Sequence, residues 1–253
     1  MFEQVPELYD RARPVYPPEV FDDIVTLAGL DEGARVLEIG CGTGQATLPL
    51  AERGFEVTCI ELGEQLAAVA RRKLAPFANV KIVNANFETW ESAGERFDAV
   101  VAFTAFHWLD PDARYEKTAG ILDDGGTLSV VGTQHVWPEG GDPFWAEVQA
   151  DYDAVAPDPN NEPPPRPEAV GDLSGGIKAS GRFENVAVRR YVWDVTYTAA
   201  EYIGVLDTYS GHRAFDDDTR QRLYDRIYRR IGMRTSGAVT KTYLATLNVA
   251  QRL

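Results

Sequence analysis

The stretch that most constrains the fold runs from Val36 to Gly44 and reads Val-Leu-Glu-Ile-Gly-Cys-Gly-Thr-Gly. Val36, Leu37 and Ile39 form the apolar run of a buried parallel strand. Gly40, Gly42 and Gly44 then let the backbone turn sharply and leave room for a nucleotide-sized ligand. The next residues, Thr43 to Ala51, read as a short helix limited or bent by Pro49. Strand, glycine loop and helix follow in that order, but turns of this kind serve several cofactors, so spacing must decide between them. A dinucleotide-binding turn reads G-x-G-x-x-G. Here the glycines run G-x-G-x-G, with Gln45 and Ala46 after them and Glu38 two residues ahead. The following strand, Phe55 to Ile60, ends on a second acid, Glu61, where a carboxylate can accept two hydrogen bonds from a ribose diol.

Glu38-Ile39-Gly40-Cys41-Gly42-Thr43-Gly44 resembles the first motif of the class I, seven-strand methyltransferases that use S-adenosylmethionine (SAM). The resemblance implies an α/β, Rossmann-like seven-strand sheet, mostly parallel with an antiparallel last strand. Helices lie on both faces and a lid is inserted after strand five. It implies SAM as cofactor, held by Glu38, Gly40, Cys41, Gly42, Gly44, Glu61 and Leu62, with the amides at the start of the following helix suited to the methionine carboxylate. Tyr9, Arg13 and Tyr16 resemble the N-terminal flap that closes over bound SAM, with Arg13 as partner of that carboxylate; a surface helix cap with ordinary aromatics is the alternative. Asn86 stands where the family usually has Asp. Its amide oxygen can still accept from the adenine amino group and its amino group can donate to a ring nitrogen, without charge assistance. Phe87 either flanks the adenine or packs in the core. The fourth strand, Phe97 to Phe103, brings Phe103 to the same crevice.

Thr104 to Asp110, Thr-Ala-Phe-His-Trp-Leu-Asp, looks like the acceptor-side loop of the branch that includes trans-aconitate methyltransferase-like enzymes. Phe106 and Trp108 are the expected substrate contacts there. His107, with an ordinary pKa of about 6.5, suits a general base toward a hydroxyl or amine acceptor. A carboxylate acceptor needs no base and would only be oriented by it, and a histidine packed against the lid is a third role. Tyr209 and Arg213, in Tyr-Ser-x-x-Arg, resemble a lid segment of the same branch, with Arg213 suited to an acceptor carboxylate.

The resemblance covers residues 8 to 134. One domain is expected, with a core over 30–134, lid segments over 135–182 and 198–237, and closing strands over 183–195 and 241–251. Pro157 to Pro167 is an extended, proline-rich loop. Helices are expected at Pro18 to Gly29, 63–74, 111–122 with Asp110 as N-cap, 144–155, 199–209 and 217–231. Further strands are expected at 80–83 and 127–132. The arginines of the last helix, Arg220, Arg222, Arg226, Arg229 and Arg230, lie among acids and read as a solvated, paired face rather than an anion site.

A SAM-dependent methyltransferase that moves a methyl group in line to oxygen or nitrogen of a small molecule, possibly a carboxylate, is the leading reading. An NAD-dependent oxidoreductase shares the sheet and the second acid, and a SAM-binding protein without turnover is the third reading. Cys41 and Cys59 have no metal-ligand spacing and read as reduced core residues, so no metal is expected. With 39 acids against 25 bases the formal charge is −14, which repels phosphate backbones, so nucleic acid is a poor partner. The first residues lack a basic region and an apolar stretch, and a cytoplasmic protein away from the membrane is expected. Only five of the bases are lysines, against twenty arginines. An acid-rich, lysine-poor surface of this kind stays solvated in concentrated salt and points to a salt-adapted, halophilic cytosol. The thermal unfolding midpoint is therefore expected to rise as KCl is raised from 0.1 to 2 M; a midpoint that stays level or falls removes the idea.

Overall fold

A computed structural model describes residues 6–157 and 162–253. The first five residues, and positions 158–161 of the proline-rich loop, lie outside the described residues. The helices are α1 (Pro6–Ala12), α2 (Pro18–Ala28), α3 (Thr47–Glu52), α4 (Glu64–Lys73), α5 (Arg114–Ile121), α6 (Phe144–Glu147), α7 (Gln149–Val155), α8 (Ser174–Ala179), α9 (Ala199–Leu206), α10 (Ser210–Arg213) and α11 (Asp217–Gly232). The strands are β1 (Arg35–Ile39), β2 (Glu56–Glu61), β3 (Val80–Asn84), β4 (Phe97–Phe103), β5 (Leu122–Val136), β6 (Phe183–Thr198) and β7 (Ala238–Arg252). They form one mixed sheet in the order β3-β2-β1-β4-β5-β7-β6, with β7 antiparallel. The pairs β1·β2, β1·β4, β2·β3 and β4·β5 are parallel, so their C-terminal ends open on one edge. Among the described residues no helix is long and apolar enough to cross a membrane.

The chain resolves into two compact units where one domain is expected. One unit comprises residues 15–133, 172–191 and 245–253, and the other 1–14, 134–171 and 192–244. The second takes in 135–171 and 198–237 of the expected lid segments together with stretches outside them, while 172–182, with α8, falls in the first.

In the first unit the strands obey the alternation of a two-sided sheet. Leu37 and Ile39 of β1 enter a cluster with Ile60, Val100, Ala102, Leu128 and Val130, covered by Tyr115 and Ala119 of α5 and Ile177 of α8. The intervening Glu38 points to the opposite side, toward Thr47 of α3. Helix α2 begins with Pro18 at its first turn and ends on Gly29 in the left-handed conformation, as the sequence suggests. Helix α3 departs from expectation. It starts four residues late, because Gly44 at φ +81° cannot lie in a right-handed helix. With six residues it leaves no extended dipole toward a ligand. Helix α5 likewise starts at Arg114 rather than Pro111, while Asp110 caps a turn by accepting from the Asp112 amide.

The second unit is built on α9 and α11, with α7 and α1 packed on them. Phe144, Trp145, Tyr202, Val205, Leu223, Ile227 and Tyr243 form its core. The expected helix over 144–155 is two short pieces, α6 and α7, that meet at Val148. Thr198 and Glu201 form a capping box that starts α9, each satisfying an amide of the other. The arginines of α11 pair with Asp217 and Asp218 as expected, but two of them do more. Arg226 and Arg230, one helical turn apart, both bond the buried carboxylate of Asp151 on α7. Burial alone would raise the Asp151 carboxyl; the two guanidiniums more than offset it and hold the group below the usual carboxylate range.

A depressed carboxyl contributes stability above its unfolded pKa and loses it as pH falls through that range toward the folded value. Asp151→Asn should therefore cost about 2–3 kcal/mol at pH 7, discounted from the fully buried case because both arginines are partly exposed. The deficit should shrink below about pH 4, where the wild-type carboxyl becomes protonated. Urea unfolding of both proteins across pH 3 to 7 measures it.

Candidate active site

The glycine loop sits where β1 ends and the parallel strands open. Gly40, Gly42 and Gly44 all have positive φ, at +70°, +56° and +81°. Two of them are also sterically required. A Cβ at Gly40 would lie 2.6 Å from the Ala105 Cβ, and one at Gly44 would lie 2.8 Å from Leu74 Cδ1. Gly42 is different, since nothing stands within 4 Å of that direction and it faces open space.

Glu61, at the end of β2, holds this loop. Its Oε2 accepts from the Gly42 amide at 2.8 Å and its Oε1 accepts from the Gly63 amide at 2.7 Å. Beside it Leu62 is 71% exposed, an apolar side chain held in solvent next to a buried acid. Asn86 follows β3 in an exposed turn. Its Oδ1 accepts from the Glu88 amide at 2.8 Å within the turn, which orients the side chain with its amino group on the other side.

Glu38 is 1% exposed and lies beneath the loop. Its Oε2 accepts from Thr47 Oγ1 at 2.6 Å, tying β1 to α3, and Cys59 Sγ lies 3.6 Å away. Burial pushes its carboxyl up to about 7, with a further push from Glu61, against the lowering effect of those two hydrogen bonds. Cys41 and Cys59 are buried, free thiols.

At the end of β4 the chain turns through Thr104, which is held at φ +53°, an outlier for a β-branched residue. Its amide donates to the Val131 carbonyl at 2.7 Å, and its Oγ1 lies 3.0 Å from Tyr16 Oη. Tyr16 also sets its ring edge against Phe103, which stacks on Phe21. No sequence signal announces Thr104. The turn places Ala105 over Gly40 and presents His107 and Trp108 to solvent, their rings 4.9 Å apart, with Trp108 67% exposed. Partial burial and the nearby Arg114 lower the His107 pKa below its ordinary value, so the imidazole is neutral at neutral pH. One expected contact is corrected. Phe106 is 1% exposed, packed on Tyr115 beneath the Arg114 guanidinium, and it supports the loop from inside. Of the two roles open to Phe87 the structure shows core packing, with Lys117 over its ring.

The expected flap is divided between the units. Tyr16 belongs with Thr104 and Phe103, whereas Tyr9 and Arg13 belong to the second unit. There the Arg13 guanidinium stacks on the rings of Tyr9 at 5.0 Å and Tyr209 at 4.5 Å, and it donates to the Thr208 carbonyl at 3.4 Å. Arg213, expected to meet an acceptor carboxylate, has an internal partner in the Asp207 carboxylate at 3.6 Å. Tyr209 accepts from the ammonium of Lys241 on β7 at 2.7 Å. Lys241 was overlooked as a site residue, although a lysine inside an otherwise uncharged strand, Ala238 to Gln251, was a legible sign.

Because Glu38 is protonated in the folded protein at a pH where the unfolded chain is ionised, wild-type stability should fall as pH rises from about 4.5 to about 7. The full loss is about 3 kcal/mol. Glu38→Gln keeps the shape and should abolish that slope, leaving a protein at least as stable at pH 8. An unchanged slope in urea unfolding would show that another group produces it.

Residues 36–126 match the family described as a methyltransferase domain. An uncharacterized methyltransferase of Mycobacterium tuberculosis is 33% identical over 123 residues, 49% of this chain and 48% of that protein. The chain thus spans about half the length of the curated relatives it matches first. Phosphoethanolamine N-methyltransferase 2 of Haemonchus contortus, solved with S-adenosyl-L-methionine, superposes with a TM-score of 0.55 at 15% identity, covering 99% of this chain and 56% of that one. The cyclase SpnF superposes with a TM-score of 0.53 at 17% identity, covering 100% and 96%. At such identities the likeness is one of fold. Over residues 36–126 the chain is thus similar to a methyltransferase domain, and its seven-strand sheet is a fold that solved methyltransferases share.

Proposed function

We propose that this chain transfers the methyl group of SAM, in line, to an oxygen or nitrogen of a small-molecule acceptor, a carboxylate oxygen included. The carrying observation is the Glu61 carboxylate, which closes β2 and is fixed between the Gly42 and Gly63 amides beside the glycine loop. A carboxylate at that strand end suits the two hydroxyls of a ribose. The exposed Leu62 offers an apolar plate for the adenine, the Asn86 amino group a donor to one of its ring nitrogens, and the open side of Gly42 the space for the chain between them.

When bound, the sulfonium supplies a methyl carbon that is already electrophilic. The protein's task is alignment of the acceptor lone pair with the carbon–sulfur bond, an effect worth about 7–11 kcal/mol when well oriented. His107, neutral and solvent-facing at the end of β4, can accept the proton that a hydroxyl or amine releases, and for a carboxylate it need only orient. The formal charge of −14 favours a small acceptor over a nucleic acid. The cell compartment that fits the same composition is a salt-rich cytoplasm.

Calorimetric titration with SAM, S-adenosylhomocysteine and NAD tests the reading. Both sulfur ligands should bind saturably, and Glu61→Ala should weaken each at least tenfold. Silence from both, or heat with NAD alone, rejects it in favour of a dehydrogenase. Binding without turnover over a broad acceptor panel would leave a SAM-binding protein that does not methylate. If His107 is the base, the rise of kcat/KM with pH should have its midpoint below about 6.5 and vanish in His107→Ala.

A further inference from the structure

Within the second unit, β7 carries Lys241 into the interior, where it is 2% exposed. Its ammonium meets one polar side chain, the Tyr209 hydroxyl at 2.7 Å, and is otherwise surrounded by rings. The centroids of Tyr209, Tyr243, Trp145 and Tyr202 lie 4.9, 5.2, 5.8 and 5.9 Å away. Arg13 adds a second cation on the face of the same Tyr209 ring, and its Nε is buried without a partner. Among the described residues no carboxylate pairs with either cation. Four aspartates of this unit are engaged elsewhere. Asp142 holds Arg234 and the Thr240 amide, Asp194 accepts from Thr242, Asp207 pairs with Arg213, and Asp151 lies between Arg226 and Arg230. The histidines add no negative charge: His135 is buried against Trp145 and kept neutral, and His212 bonds the Tyr152 hydroxyl at 2.8 Å. Two cations and several phenols therefore share a desolvated cluster without a carboxylate, and against the effect of burial the two cations lower the pKa of the Tyr209 phenol that lies between them. A lysine is rarely buried in this way unless something negative joins it.

We propose that Lys241, Arg13 and Tyr209, all within this unit, form a binding site for a small anion, a carboxylate or a phosphate monoester. The site does not rest on the methyl-transfer reading above. Arg13 offers the planar fork that matches either group, Lys241 a point charge, and Tyr209 a hydroxyl donor. Tyr209, Arg13 and His212 are half-buried, so the anion enters at their side of the cluster. Arg13, expected to pair with the methionine carboxylate, is thereby read as part of this anion site, and Arg213 keeps its own aspartate.

The test is calorimetric titration of the full chain with inorganic phosphate and with succinate, at constant ionic strength in chloride, alongside the unfolding midpoint. Saturable binding of one or both is expected, and the tighter of the two names the class. Lys241→Met and Arg13→Met should each weaken it at least tenfold, while Arg229→Gln, an exposed change on α11, should not. Methionine fills the aromatic cage without a charge, so Lys241→Met should fold, and S-adenosylhomocysteine should bind it as it binds the wild type. No saturable response to either anion, or equal binding in both variants, overturns the site even where S-adenosylhomocysteine binds. Failure of S-adenosylhomocysteine with the wild type would instead reject the methyl-transfer reading and leave the anion result standing.

Discussion

The carboxylate of Glu61, fixed between two backbone amides, is the interaction on which the rest of the cofactor side depends. One oxygen fastens Gly42 at the turn after β1, and the other fastens Gly63 at the start of α4. Charge-assisted bonds of this kind are shorter and stronger than neutral ones, and here they pin a loop that three glycines would otherwise leave with many conformations. Everything proposed to touch the cofactor is set by that pin: the open side of Gly42, the exposed Leu62 and the distance from Glu61 to the turn at Asn86. The outlying φ of Thr104 is its counterpart on β4, kept in place by the Val131 carbonyl and by Tyr16.

Three buried charges illustrate how differently the interior treats an ion. Asp151 is met by two guanidiniums and stays ionised. Glu38 has a hydroxyl and a thiol near it but no cation, and it responds by holding its proton up to about 7. Lys241 has a phenol and four ring faces, which favour a cation through their quadrupoles without neutralising it. The first two are complete within the chain, whereas the third has positive charge in surplus, and a surplus of that kind is found where a ligand supplies the balance.

The strand, the glycine loop and the acid that clamps it were largely legible because they are local. The glycine spacing, the acid closing β2 and the apolar strand before the loop lie within one βαβ segment, and backbone geometry brings them together with little help from the remainder. Errors there were of position. Helix α3 starts late because Gly44 is left-handed, and Phe106 turned inward because the alternation of side chains past a strand end depends on the turn that follows. Residues of the second unit were harder to assign. Tyr9, Arg13 and Tyr209 are about two hundred residues apart in sequence at their extremes, and no periodicity links a helix end near the start to a loop after α9. Arg213 looked available because its neighbour Asp207 reads as one more surface acid until the chain folds it back.

What the sequence by itself determined is the sheet, its order of strand and glycine loop, and the presence of two acids near the cofactor, since these follow from local hydrophobic pattern and from the conformations that only glycine adopts freely. Tertiary structure alone decided which ionisable groups lose their water and which partners they find. It made Glu38 a buried link to Thr47 and Glu61 the clamp of the loop, gave Arg213 to Asp207, and left Lys241 and Arg13 without a carboxylate. Burial and partner are properties of positions brought together across the whole chain, and a side chain's charge state is fixed only once both are known.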